Sequence, residues 1–396
     1  MRPPVLRAWW AARQGLLALD GEASPAAVLG RSGWARSVGG VNPYMTLFAR
    51  AGTSRATAEE AAARRQIHEL PGARGCTYIV PREDFALALR VGQGFSEAAE
   101  LQMARKHLGV TDPEIDRLCE GVLAALGEGA KDPAALKMSL GDTVRNLGEA
   151  GKKRGMTTTL PLALALLQSK GEILRQPVGG RLDQQRYAYT LWTDSPLRGD
   201  TRTVEEAQVE LARKYFRWIG PASAAHFQWF SGLPQKAVKA AIAPLGLVPL
   251  EAGSPLLMHP EDHEALVRFE PPGDPVYRLV AGIDALFLLR RDMQDLLDPD
   301  DAARKIVGDR GAVELGGLQD LTSHAIVDRG RVIGLWEYDP EASTIAWSSF
   351  VKPTPALRAE VERTQTFIRE QLGDARAFSL DSPEKRRPRI DALRQA

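Results

Sequence analysis

The chain of 396 residues is poor in cysteine, has almost no net charge and lacks a long apolar run. Its two cysteines, Cys76 and Cys119, support neither a disulfide framework nor a cysteine-rich zinc site, which favours a reducing cytoplasm. The leucine-rich stretch 160–167 is too short to span a membrane, and arginines interrupt the apolar N-terminus, unlike a secretory signal. We therefore expect a cytoplasmic protein that makes no membrane contact.

Motifs for cofactor chemistry are also missing from the sequence. It contains no phosphate loop, no cluster of metal ligands and no nucleophile elbow. We therefore expect neither a cofactor nor a metal. Since 44% of the residues are hydrophobic, the chain can still bury a large core and form two or three units.

The balanced charge, 51 basic against 50 acidic residues, hides a local excess. Between Gly151 and Gly220 there are twelve basic and seven acidic residues, a net charge of +5. A local excess on a neutral chain predicts one cationic face, as a protein that binds a polyanion would need.

The segment 157–192 has the pattern of the second half of a winged helix-turn-helix. A leucine-rich helix, capped by threonines, is predicted to end at Lys170-Gly171, and two short strands flank a glycine-rich loop. In such a module one helix enters a DNA groove while a basic wing lies against phosphates. The wing arginines are Arg175, Arg181 and Arg186.

Three basic residues, Lys152, Lys153 and Arg154, precede the helix that this pattern places in the groove. They are expected either to contact DNA phosphates or to form a solvated loop.

Three phrases, each with small residues after a polar or proline-containing helix start, indicate a repeat. They are GEASPAAVLG at 21–30, GAKDPAALKM at 129–138 and GPASAAHFQW at 220–229. The sequence thus predicts an α+β fold with three tandem winged-helix units, a connector and a β-rich C-terminal segment with a terminal helix. The predicted boundaries are 1–82, 113–193 and 203–268 for the units, 83–112 for the helical connector and 269–396 for the C-terminal segment.

A hairpin is predicted near 324–336, with Arg329 and Arg331 at its tip, where both side chains could reach a groove. A helix is predicted over 355–372, and the basic tail from Lys385 is expected to be loosely held.

Three motifs in this order resemble one protein family. They are YFRWIGPASAAHFQWFSGL at 215–233, ARGCTYIVPREDF at 73–85 and VDRGRVIGLW at 327–336. The first is similar to a family phrase that runs from an aromatic residue through Gly-Pro-Ala-Thr to Trp-x-Gly-Leu. The chain thereby resembles the winged-helix DNA glycosylases of the AlkZ/YcaQ type, which unhook interstrand crosslinks and remove bulky alkylpurines.

The resemblance implies a C-shaped, basic surface around double-stranded DNA, with the late hairpin probing a groove. It also implies hydrolysis of the N-glycosidic bond of an alkylated or crosslinked purine. In the family a Gln-x-Gln pair positions the attacking water, but the corresponding stretch here, 36–44, contains neither glutamine. Asn42 is its only amide and is the candidate for this role. Arg74 matches a family position beside this loop and is expected to meet phosphate or form a structural ion pair.

Two functions follow from these patterns. One is a DNA glycosylase of base-excision or crosslink repair, and the other is a noncatalytic DNA-binding protein that recognises damage or regulates transcription. In either case we expect a nucleoid-associated monomer.

Overall fold

The computed structural model describes residues 2–308 and 311–395, apart from the side chain of Ser96. Helices and strands are mixed along the whole chain, as the predicted α+β class requires. An N-terminal helix, α1 (Pro3–Arg13), begins with proline in its first turn and buries Trp9 and Trp10 against the rest of the protein.

The first repeat follows α1 and closes on a hairpin. Its elements are α2 (Pro25–Ser32), β1 (Ala35–Arg36), α3 (Asn42–Ala51), α4 (Arg55–Ala63), β2 (Ile67–Pro71) and β3 (Thr77–Pro81). The Ser24 hydroxyl accepts a hydrogen bond from the Ala27 amide, and Ser54 caps α4 in the same way, which satisfies amides that a helix start leaves free.

Two connecting helices, α5 (Phe85–Gly92) and α6 (Ser96–Leu108), lead to the second repeat. Its elements are α7 (Asp112–Gly127), α8 (Pro133–Leu140), α9 (Gly148–Lys152), α10 (Leu160–Ser169), β4 (Ile173–Pro177) and β5 (Tyr187–Leu191).

The third repeat ends in short strands and a further helix. Its elements are α11 (Val204–Ile219), β6 (Ala222–Ser223), α12 (Ala224–Ser231), α13 (Gln235–Ile242), β7 (Val248–Pro249) and β8 (Leu256–Met258), followed by α14 (Pro260–Val267). Helix α11 opens with a capping box between Thr203 and Glu206.

The three repeats share one strand order. The first and third sheets run β1-β3-β2 and β6-β8-β7, and in the second a bridge from Lys131 to Tyr189 takes the place of the first strand. Each repeat is thus a helix, a strand or bridge, two main helices and a hairpin.

This order corrects the repeat predicted from the three phrases. The phrases at 129–138 and 220–229 both lead into the helix after the first strand or bridge, α8 and α12. The phrase at 21–30 instead starts α2, which precedes β1. The position equivalent to α8 and α12 is α3, which begins at Asn42-Pro43.

The C-terminal segment is built on a four-stranded antiparallel sheet of order β14-β13-β12-β9. Its strands and helices are β9 (Tyr277–Val280), α15 (Ala285–Leu288), α16 (Pro299–Ala302), β10 (Lys305–Gly308), β11 (Gly311–Glu314), β12 (His324–Asp328), β13 (Arg331–Asp339), β14 (Thr344–Ser349), α17 (Pro355–Phe367) with a π-helical turn (Ile368–Leu372), and α18 (Pro383–Gln395). Short 3₁₀ turns lie at 73–75, 82–84, 141–143, 178–180, 243–245, 294–296 and 315–317.

The basic tail is ordered, so the expectation of a loosely held end is wrong. Arg386 and Arg389 are buried in α18, and Arg389 pairs with Glu337 of β13 at 2.7 Å and with Asp381 at 2.8 Å. These ion pairs fix α18 on the sheet.

The C-terminal sheet and the first repeat share one apolar core, which joins α2 and α3 to β9, β13 and α17. Across this junction Arg50 of α3 and Asp284 form a fully buried ion pair at 2.8 Å. Among the residues that the structure describes, no helix is long and apolar enough to cross a membrane.

Candidate functional site

A cavity of about 610 Å³ lies where the first and third repeats meet the C-terminal segment. Its walls come from the β1 and β3 region, the hairpin turn between β2 and β3, the end of α12, the segment 283–291 and two loops at 320–322 and 377–380. Gln185, from the hairpin of the second repeat, completes the lining. One cavity therefore collects side chains from all three repeats.

The strand β1 and the residues after it present alternate side chains to this cavity. Arg36 and Val38 line it, whereas Ser37 is buried and its hydroxyl donates to the Glu69 carboxylate at 2.7 Å. This alternation is expected of extended backbone, in which successive side chains point to opposite faces.

Aromatic rings form much of the remaining wall, namely Trp34, Tyr78, Trp229 and Phe230. Trp34 meets Tyr78 edge to face with ring centroids 5.9 Å apart. Burial raises the pKa of Tyr78 well above its ordinary value, so its phenol stays protonated. Flat apolar surfaces with a few polar groups suit the binding of an aromatic ring.

Three arginines bring positive charge to the same cavity. Arg36 lies 5.5 Å from the Tyr78 ring centroid, and its Nη1 donates to the Thr77 carbonyl at 3.0 Å. Arg74 and Arg291 both approach the Trp229 ring, at 4.2 and 4.3 Å from its centroid. Guanidinium groups held over aromatic faces keep their N–H donors at the ring edge for other partners.

One carboxylate and one amide also line the cavity. Asp320 accepts hydrogen bonds from Nε and Nη2 of Arg291, the first at 2.8 Å, and its side chain is half exposed. Gln185 lies against Gly39, where a Cβ atom would meet the Gln185 Cγ at 2.8 Å. Both groups can orient a water molecule, as can the hydroxyls of Thr322 and Ser379 in the same lining.

Gly39 and Gly40 are required by the C-terminal loop beside the cavity. A Cβ on Gly40 would lie 2.1 Å from the Ala377 carbonyl oxygen. The Val41 amide donates to the Arg376 carbonyl at 2.8 Å, and the Ser379 amide donates to the Val38 carbonyl at 3.0 Å. The glycines thus let two loops pair to form one wall of the cavity.

Asn42 does not lie in the cavity, so the water-positioning role predicted for it does not fit the structure. Its side chain is buried at the first turn of α3. Its Nδ2 donates to the Arg36 carbonyl at 2.9 Å, and its Oδ1 accepts from the Thr46 hydroxyl. The Nδ2 end holds the backbone of the Arg36 loop and the Oδ1 end is bonded within α3, so the amide has a positioning role.

Of the three wing arginines, the structure leaves only Arg186 exposed. Arg175 is turned inward, stacks on Tyr187 and lies 3.4 Å from the buried Glu69 carboxylate. Arg181 pairs with Asp183 and also donates to the Leu372 carbonyl. For Arg175 and Arg181 the predicted phosphate contact is therefore corrected to a structural ion pair.

The helix predicted to enter a groove, α10, is mostly buried and has no charged residue. It packs on α6, α7 and β2, so the groove-contacting role predicted for it is corrected. Lys152, Lys153 and Arg154 remain exposed before it, with Lys152 paired to Glu149. Much of the +5 excess is also internally paired, which reduces the cationic face that the sequence predicts.

The predicted hairpin is present between β12 and β13, but its tip packs on α1. A Cβ on Gly330 would lie 2.1 Å from the Arg7 carbonyl oxygen. Arg331 pairs with Asp298 at 2.8 Å and Asp301 at 2.6 Å, and Arg329 donates to Asp328 and to two backbone carbonyls. The expectation of a free tip that reaches a DNA groove is therefore wrong.

Several cavity residues had no signal in the sequence. Arg36 lies in the stretch that corresponds to the family's catalytic motif, but it has no amide, so the sequence predicts the water-positioning role for Asn42 instead. The spacing of Trp229 is typical of a core residue, and nothing local connects it with Arg291 or Asp320.

Outside the cavity, Lys236 and Lys239 are exposed one turn apart on α13 and form a basic helix face. Their spacing in the sequence would have been enough to predict this face.

Comparison with known proteins assigns this architecture to a class. The model of the AlkZ-like DNA glycosylase family matches residues 39–367, and the chain belongs to this family. The Streptomyces sahachiroi DNA glycosylase AlkZ has a similar structure, with a TM-score of 0.70, 20% sequence identity and coverage of 91% of this chain and 96% of that chain. The two proteins share a fold. A search of curated protein sequences gave no significant match.

Proposed function

We propose that the protein binds double-stranded DNA and hydrolyses the N-glycosidic bond of an alkylated or crosslinked purine, with the modified base entering the cavity. The observation that carries this proposal is the position of the cavity. It lies against Arg36 and Val38, within the stretch where the family resemblance places the catalytic pair, and it has aromatic walls and room for a nucleobase.

Duplex DNA would be held by the repeats around the cavity. We propose that the segments 1–82, 113–193 and 203–268 act as three winged-helix units, with α13 of the third as the helix that meets a groove. The supporting charges are exposed: Lys236 and Lys239 on α13, Arg186 on the second hairpin, and Lys153 and Arg154 before α10. Cations on a protein surface release counterions from DNA when they meet phosphates, which supplies affinity independent of sequence. Because the cavity is complete within one chain, a monomer is the proposed active form.

Base release requires a positioned water and a group that stabilises the positive charge that develops on the sugar as the base departs. In this cavity we assign the first task to the Gln185 amide and the second to the Asp320 carboxylate. Arg291 donates two hydrogen bonds to this carboxylate, which fix its position in the cavity wall. Water then adds to C1′ of the sugar as the N-glycosidic bond breaks, the base leaves with the bonding electrons, and the Asp320 carboxylate takes up the proton that the water loses.

A second function, recognition of damaged DNA without base release, is favoured by one observation. Arg36 and Val38 line the cavity within the stretch 36–44, where the family resemblance implies a pair of glutamines, and neither side chain can position water as an amide does. If this function holds, the cavity binds the modified nucleotide and leaves it intact.

Single-turnover assays on duplexes that carry one alkylated purine or one interstrand crosslink distinguish the two functions. We expect abasic sites to form with the natural protein, and Gln185→Ala to slow base release by about 100-fold, as loss of a water-positioning group does. Gln184→Ala is the matched control because the neighbouring amide is absent from the cavity lining.

Tight binding with no base release from any of these duplexes would instead establish the noncatalytic function. Equal rates for Gln185→Ala and Gln184→Ala would remove Gln185 from the mechanism.

A further inference from the structure

The cavity has more positive than negative charge. Three guanidinium groups, those of Arg36, Arg74 and Arg291, face one carboxylate, Asp320. Arg291 is neutralised by Asp320, but within residues 2–308 and 311–395 neither Arg36 nor Arg74 has a carboxylate within ion-pair distance. Their known bonds are to the backbone carbonyls of Thr77 and Trp229. Two cations are thus left facing a concave site without a counter-charge.

The backbone at two of these arginines is in an unusual conformation. Arg74 has φ +59° and Arg291 has φ +53°, the left-handed region that side chains other than glycine and asparagine rarely adopt. Nothing in the turn between β2 and β3 needs an arginine there to close the hairpin, since glycine or asparagine would fit with less strain. Arg65, Arg329 and Ser343, which do not line the cavity, also have positive φ, so the conformation supports a clamp only together with the charge and position of Arg74 and Arg291.

The side chains converge on one ring. Arg74 comes from the hairpin of the first repeat and Arg291 follows α15, yet both guanidinium groups lie within 4.3 Å of the Trp229 ring centroid. Stacking on a ring fixes the plane of a guanidinium and directs its N–H donors outward, which is the geometry that binds an oxyanion.

We propose that Arg36, Arg74 and Arg291 form a phosphate clamp, which holds a backbone phosphate next to the nucleotide whose base enters the cavity. This deepens the proposed function and rests on it. A phosphate supplies the negative charge that Arg36 and Arg74 lack, and its oxygens accept from two guanidinium groups at once. The aromatic wall of Trp34 and Tyr78 then receives the attached base.

A consequence concerns the lesion. Purines alkylated at N7 carry a positive charge, which the clamp repels until a phosphate has neutralised it. The clamp therefore couples entry of the base to contact with its own phosphate, so that a cationic alkylated nucleoside without a phosphate is a poor ligand.

The test uses the full-length protein and duplexes with one abasic-site analogue, in which each flanking phosphate in turn is replaced by an uncharged methylphosphonate. We expect one replacement to weaken binding about tenfold, and Arg74→Asn or Arg291→Asn to cause no further loss on that duplex. Asparagine is chosen because it is neutral and tolerates a positive φ. The control is Arg64→Ala, which removes an exposed arginine paired with Glu60 on α4.

Thermal unfolding adds a readout that a structural role would move. A clamp predicts that Arg74→Asn, which removes no ion pair among the residues that the structure describes, keeps the natural melting temperature or raises it, since it relieves strain. A lower melting temperature with unchanged sensitivity to the methylphosphonates would overturn the proposal.

Two other results would also overturn it. One is that no methylphosphonate weakens binding, or that the loss of affinity caused by a methylphosphonate adds to the loss caused by the arginine variants. The other is arginine-dependent binding of free 2′-deoxyadenosine 5′-monophosphate with no effect of any backbone phosphate, which would assign the site to a free nucleotide. If the natural protein did not bind duplex or did not release base, the proposed function would be contradicted instead. The failure of the clamp and the failure of the proposed function are therefore distinguishable.

Discussion

Replacement of Gly40 by alanine tests how the cavity wall is assembled. The added Cβ would lie 2.1 Å from the Ala377 carbonyl oxygen and 2.4 Å from its carbon, whereas ordinary contacts begin at 3.4 Å. The C-terminal loop must therefore move by about 1 Å, a displacement that core overpacking makes costly.

The movement also strains the hydrogen bonds that join the two loops. The Val41 amide to Arg376 carbonyl bond and the Ser379 amide to Val38 carbonyl bond are each worth about 1 kcal/mol. With overpacking of about 1–3 kcal/mol, the expected loss in the free energy of unfolding is about 3–5 kcal/mol if both bonds are lost.

The assay is urea unfolding followed by tryptophan fluorescence, with duplex binding measured on the folded variant. Gly21→Ala is the control, because a Cβ there meets nothing within 4 Å. We expect Gly40→Ala to be less stable than the natural protein. We also expect its affinity for lesion-containing duplex to fall more than its affinity for undamaged duplex. If Gly40→Ala matched Gly21→Ala in both measurements, the inferred pairing of the loops would be refuted.

Three further predictions follow from single side chains. Arg186→Ala should weaken duplex binding and reduce the slope of log affinity against log salt by about 1, because an exposed cation can contribute one phosphate contact. An unchanged slope in a salt titration would exclude this contact. Asn42→Ala should lower the free energy of unfolding by about 1–3 kcal/mol, since it leaves a buried carbonyl without its donor. Base release per folded molecule should fall less than in Gln185→Ala, and the reverse ranking would indicate that Asn42 positions the water. Burial lowers the pKa of His324 to about 4 from 6.5, so the stability due to its neutral ring is complete above pH 6.5 and is lost as the pH falls toward 4, by up to about 3 kcal/mol. In urea unfolding at pH 7, 5.5 and 4, the free energy of unfolding should therefore fall less steeply with decreasing pH in His324→Gln than in the natural protein. Equal pH dependence in the two proteins would contradict this assignment.

Local signals in the sequence predicted local structure well. Ser24 before Pro25 and Asp132 before Pro133 mark helix starts that the structure shows, each with a side-chain cap. The hairpin that begins with the strand at 324–328 and the helix from Pro355 also follow from short patterns. Caps and periodicity depend on residues a few positions apart, so one segment contains all that is needed.

The cavity could not be predicted in the same way. Arg36, Gln185 and Arg291 are far apart in sequence and meet only because three repeats and a C-terminal loop pack together. Gly40 looks like part of a simple turn until Ala377 is placed against it. The prediction for the hairpin arginines was wrong for the same reason. Arg331 meets its partners, Asp298 and Asp301, through packing that no local pattern specifies.

Disulfide trapping at Cys76 tests most directly whether the modified base enters this cavity. Cys76 lines the cavity and is partly exposed, whereas the second cysteine, Cys119, is buried. The protein is incubated with a duplex that carries a purine with a short thiol tether, and the adduct is measured by non-reducing electrophoresis. We expect an adduct with the natural protein, none with Cys76→Ser, and competition by an untethered duplex with the same lesion. A tight complex that forms no adduct at Cys76, at any tether length that spans the cavity, would contradict the central claim.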